Sequence, residues 1–165
     1  MERIVKLSTY RSLAALVAAI TLTGCGGDTD PSSAVAAANS SNIQRVTNLY
    51  LAYQTENGWV GPPDEAKFKE FIRGLPGPTL SRIGIDPAQI DGIFTSERDG
   101  QPFKIRYKVV GNMMGSTEPV VFEAEGVGGQ RMVGFLNMTQ REVDAAEYDS
   151  LWAGKGAAAA TTRSN

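Results

Sequence analysis

Two carboxylates and one thiol are the side chains in this sequence whose type and placement suit them to chemistry. Glu123 and Glu125 stand two residues apart in an apolar stretch. On an extended strand they project from one face about 6 to 7 Å apart, a separation compatible with carboxylates that act as acid and base on a glycosidic bond. The same alternation describes an ordinary solvated strand face, and that is the favoured reading. Cys25 is the one cysteine, and there is no histidine. A lone thiol closes no disulfide within the chain, and Cys/His zinc sites are excluded. Neither Ser-x-x-Lys nor a Gly-rich phosphate loop with a following Lys occurs. The usual sets of acid, base and nucleophile are missing, so no catalytic residue, metal or cofactor is expected, and a non-catalytic protein is.

The surroundings of Cys25 are more specific. Arg3, Lys6 and Arg11 precede an apolar run over residues 13–20, a basic region followed by a short hydrophobic one, as in export signals. The run is well short of the roughly 20 residues that cross a bilayer as a helix. Leu22-Thr23-Gly24-Cys25 then resembles the lipobox of bacterial lipoproteins, in which a branched aliphatic residue, a small residue and glycine or alanine precede a cysteine. The resemblance implies that Leu22, Thr23 and Gly24 are recognised by the signal peptidase and that residues 1–24 are removed. Cys25 then heads the mature chain, its thiol carrying diacylglycerol through a thioether and its freed amine a further acyl chain. Each buried CH₂ strengthens membrane binding by about 0.8 kcal/mol, and more than one chain makes the anchor firm. The alternatives are an ordinary signal with an incidental cysteine, or a small buried thiol. Gly26 occupies the position where aspartate retains enteric lipoproteins at the inner membrane, so the analogy implies the periplasmic face of the outer membrane.

The first 24 residues carry three of the 16 basic and one of the 18 acidic side chains, which leaves the remainder at about −4. A mildly acidic protein exerts no pull on polyanions, so nucleic acid is not an expected partner. The expected partners are a membrane, reached through the lipid, and another envelope protein. Residues 25–39 read as a flexible tether headed by Cys25, spanning ~20 Å. Residues 40–153 are the size of a single domain, and residues 154–165 form an Ala/Thr/Ser tail of the kind that stays disordered.

The elements that must position these residues follow from periodicity. Ile43, Val46, Leu49, Tyr50 and Tyr53 fall at helical spacing and predict a helix over residues 42–56, with Ser40 or Ser41 as cap. A second helix is expected over 64–73, with Phe68, Phe71 and Ile72 inward, ended by Gly74-Leu75-Pro76-Gly77-Pro78. A helical turn follows at 86–91. Phe103, Ile105, Tyr107 and Val109 alternate with Lys104, Arg106 and Lys108, as in a half-buried antiparallel strand. Further strands are expected over 119–125 and 131–137 around the turn Gly126-Val127-Gly128-Gly129. Glu123 and Glu125 would then face Lys104 and Arg106. Thr139-Gln140-Arg141-Glu142 has the form of a capping box and predicts a last helix over 139–152 that buries Val143, Ala146 and Leu151. The expected fold class is α+β: N-terminal helices packed on a small three-stranded antiparallel sheet, with a closing C-terminal helix.

One further resemblance lies in the C-terminal half. Ser96-Glu97-Arg98-Asp99-Gly100-Gln101-Pro102-Phe103-Lys104-Ile105, followed by Val121-Phe122-Glu123-Ala124-Glu125-Gly126-Val127-Gly128-Gly129, resembles the globular head of type II secretion pseudopilins. In that family an Asp-x-x-Gly-x-Pro-aromatic turn opens a strand, and a later strand ends in a Gly-rich loop. The resemblance implies a head whose polymerising N-terminal helix is replaced by a lipid, and hence a tethered subunit rather than a filament. Asp99, Glu123 and Glu125 are too few acids for the calcium loop of that family. Elsewhere, Met113-Met114 reads as a loop with one methionine tucked inward. Trp59 and Trp152 read as core-edge packing, and Lys104, Arg106 and Lys108 as a solvated cationic face. A carboxylate enzyme or small-ligand binder, the other functional class, requires a concave pocket around Glu123 and Glu125.

Overall fold

The computed structural model describes residues 40–112 and 116–155. Leu22, Thr23, Gly24 and Cys25, the expected signal and tether, Met113-Met114 and most of the tail lie outside the described residues.

Helix α1 (Asn42–Glu56) begins where Ser41 and Gln44 close a capping box, satisfying two amide donors that an open helix end leaves orphaned. Of its expected apolar face Ile43, Val46, Leu49 and Tyr50 are inside, whereas Tyr53 is only half-buried. Asn57 and Gly58 stop it, Gly58 at a φ of +64° that costs glycine little. Asp64 caps α2 (Glu65–Gly74), accepting from the Lys67 amide at 2.9 Å. Phe68 and Ile72 are buried, whereas Phe71 is only half-buried. The Gly/Pro stretch does end α2, but it also launches an unexpected short helix, α3 (Gly77–Arg82), because Pro78 sits in the first turn, where its missing N–H costs nothing. The helical turn near 86–91 is a 3-10 helix, Pro87–Phe94, capped by Asp86.

The sheet has four strands rather than three, β1 (Lys104–Ile105), β2 (Pro119–Phe122), β3 (Arg131–Phe135) and β4 (Gln140–Val143), antiparallel in that order. The additional strand comes from the stretch read as the start of the last helix. Met138 takes a left-handed turn at φ +63°, and residues 140–143 pair with 131–134. The ladder and the burial of Val143, 1% exposed, override the capping-box pattern. The last helix, α4 (Ala145–Trp152), starts at Asp144, which accepts from the Glu147 amide at 2.9 Å. It buries Tyr148 and Leu151, while Ala146 is exposed.

The long strand expected over 103–109 shortens to two residues because α1 and the loop that follows it take much of the remaining backbone. The Tyr50 hydroxyl donates to the Arg106 carbonyl at 2.8 Å and accepts from the Val109 amide at 3.2 Å. The Lys108 amide donates to the Pro62 carbonyl at 2.9 Å, with Lys108 itself at φ +58°. Burial pushes the Tyr50 phenol up to about 12, against the opposing influence of the Val109 bond and the Arg106 charge.

The sheet separates two apolar clusters. On one side α1, α2, α3 and the 3-10 helix pack on Ile105, Val120, Val121 and Leu136. On the other, α4 closes over Phe122, Val133, Phe135 and Val143. A bulge between Pro119 and Val121 turns both Val120 and Val121 toward α1. β2 is consequently buried along its whole length, as a strand covered on both faces must be. Each large side chain enclosed this way stabilises the fold by about 1.5–3 kcal/mol.

Candidate functional site

Glu123 follows directly on β2, and its carboxylate is enclosed, with only 1% of the residue exposed. A buried carboxylate is tolerated only with partners, and here one loop and strand β3 supply three of them. The Ser96 hydroxyl donates to Oε1 at 2.7 Å, and the Met132 amide of β3 donates to Oε2 at 2.7 Å. The Arg98 guanidinium lies 3.4 Å from Oε2 and also pairs with Glu142 of β4. From the opposite side of the sheet the Tyr148 hydroxyl of α4 donates to the Glu123 carbonyl at 2.8 Å. Burial pushes the Tyr148 phenol upward, only partly offset by Arg131.

The loop that delivers Ser96 and Arg98 is shaped by its own side chains. Ser96 Oγ accepts from the Arg98 amide at 3.1 Å. Asp99 Oδ1 accepts from the Gln101 amide at 2.9 Å, and Oδ2 from the amides of Gly126 at 2.7 Å and Glu125 at 3.1 Å. Burial alone would raise the Asp99 carboxyl, but these bonds, led by that from Gly126 and joined by Ser96, outweigh it and hold the group below its ordinary range. Asp99 thereby joins the two segments on which the resemblance to pseudopilin heads rests. Its oxygens face N–H donors, a surrounding suited to a carboxylate and not to a cation. Among the described residues no three acidic, Cys or His side chains gather as a metal-binding set.

Glu125 is exposed, and its carbonyl accepts from Arg131 Nε at 3.1 Å. The ladder ends at Phe122, so the strand parity that would align Glu125 with Glu123 does not extend that far. The expected pairing with Lys104 and Arg106 also fails: Lys104 lies opposite Phe122 and Ile105 opposite Val121. Arg106 instead pairs with Glu118 at 3.2 Å. A small cleft of about 150 Å³ does adjoin Glu123, lined also by Ser40, Ser96, Phe103 and Gln140. Its carboxylate has both oxygens engaged, which ties the end of β2 to β3 and to the loop that carries Ser96 and Arg98.

Sequence reasoning missed the network of Ser96, Arg98 and Glu142. A turn before Phe103 was implied by the pseudopilin resemblance, but nothing in the chain order tells which distant amides the Asp99 carboxylate meets. Of the tryptophans, Trp152 packs edge-on against Phe122 with ring centroids 5.1 Å apart yet stays 43% exposed. Trp59 is half-buried at φ +67°.

No protein-family model, curated protein or solved structure matches this chain.

Proposed function

We propose that the chain is an exported bacterial lipoprotein, anchored through lipid on Cys25, whose domain serves as a non-catalytic module for binding another envelope protein. The carrying observation is Leu22-Thr23-Gly24-Cys25 directly behind a basic and then an apolar segment. The chemistry requires that order: small residues fit the peptidase groove, and the thiol is the nucleophile that accepts diacylglycerol. Fourteen residues, 26–39, lie between Cys25 and Ser40, room enough to hold the domain ~20 Å from the headgroups. The resemblance of residues 96–105 and 121–129 to pseudopilin heads favours a secretion or pilus-like assembly as the setting, with the lipid in place of a polymerising helix. Gly26 favours the periplasmic face of the outer membrane.

A non-catalytic role is supported by the engagement of the Glu123 carboxylate, whose oxygens meet Ser96, Met132 and Arg98. The test is Cys25→Ser. This variant is expected to lose palmitate labelling and leave the membrane fraction; a variant that stays labelled and membrane-bound sinks the proposal.

A further inference from the structure

Helices α1 and α2 leave a groove of about 440 Å³ between them, beside the last turn of α1. Tyr53, Phe71 and Leu75 form its floor and are all only half-buried. Tyr53 and Phe71 meet edge to face with centroids 5.1 Å apart, which holds the aromatic floor in shape. Half-exposed aromatic and aliphatic side chains gathered in one concavity form the kind of surface that receives an anchor residue from a partner.

The charge on the rim selects what that partner carries. Lys67 is neutralised by Glu70 at 2.7 Å. Glu56 ends α1, whose last turn has no basic residue, so its carboxylate adds to the negative end of the helix dipole. The groove therefore attracts a cation and repels phosphate headgroups. Its position agrees with a partner rather than the membrane. Ser41 caps one end of α1 and Glu56 closes the other, about 22 Å away at 1.5 Å per residue. The chain arrives from Cys25 at the Ser41 end.

Resting on the lipoprotein reading above, we infer that this groove binds a segment of another envelope protein that presents an apolar side chain next to a lysine or arginine. The probe is a helical Leu/Lys peptide, with a Leu/Glu peptide of equal length as its counterpart. Each is titrated against the ¹⁵N-labelled full-length chain in a nonionic detergent. The Leu/Lys peptide is expected to shift the amides of Tyr53, Phe71 and Leu75 saturably, and the Leu/Glu peptide to leave them in place. Glu56→Lys should weaken binding about fivefold, and Lys67→Gln, which frees Glu70, should tighten it about threefold, as exposed charges of this kind do. Equal binding of both peptides, or saturable shifts elsewhere on the domain only, overturns the inference. So do shifts that grow with protein concentration and no peptide, since they make a second copy the occupant. Groove binding is read apart from anchoring: loss of the Cys25→Ser effect refutes the lipoprotein reading, whereas loss of peptide discrimination refutes the groove.

Discussion

Asp99 and Glu123 show how much of this domain rests on two carboxylates with different surroundings. Asp99 is lowered by backbone amides, so its contribution is complete above its ordinary value of 3.8 and is lost as pH falls through the lower folded value. Asp99→Asn should therefore reduce the acid dependence of the urea midpoint; an unchanged acid limb would show that the bonds to Gly126 and Glu125 carry no pH-linked stability. Glu123→Ala leaves the Met132 amide, the Ser96 hydroxyl and Arg98 short of a partner, and should cost about 2–3 kcal/mol in denaturant titrations. Gly126, at φ +75°, has no room for a side chain, since an added Cβ would stand 2.1 Å from the Gln130 carbonyl oxygen. Overpacking of this kind costs about 1–3 kcal/mol or more, and Gly126→Ala should also release Asp99, visible as a loss of exchange protection at the Gly126 amide.

At the scale of elements, the seam between α1 and β3 is set by Gly134. A Cβ there would lie 2.2 Å from Thr47 Oγ1, while Thr47 itself bonds back to the Ile43 carbonyl at 2.7 Å. Gly134→Ala should destabilise by about 1–3 kcal/mol, and Thr47→Ala should recover part of that loss in the double variant; strictly additive effects would place the strain elsewhere. β3 also decides an element that the local capping pattern misassigned. Capping-box chemistry at residues 139–142 is local and worth about 1 kcal/mol. The β3–β4 ladder and buried Val143 outweigh it, and the chain waits until Asp144 to begin a helix. The strand expected over 103–109 was lost for a parallel reason, since its alternation was legible but the Tyr50 hydroxyl, 56 positions away from Arg106 in the chain, claims the backbone.

For the whole molecule, the sheet is a shared wall between two clusters, and β2 contributes to both. The two sides should melt together. Single-tryptophan variants that retain Trp59 or Trp152 are expected to report one common midpoint; separated transitions would mean that α4 and its cluster unfold alone. What the chain determined by itself is whatever depends on neighbours within a few positions: the bounds of α1, the stop of α2, the glycine turn at 126–129 and the α+β class. Side-chain identity and spacing act there directly. Tertiary structure alone decided the fourth strand, the burial of Glu123 while Glu125 stays in solvent, and the union of Ser96, Arg98, Asp99 and Glu142 around the end of β2. Those outcomes turn on which backbone amides and hydroxyls, distant in sequence, arrive to satisfy a buried charge, and no local pattern encodes that meeting.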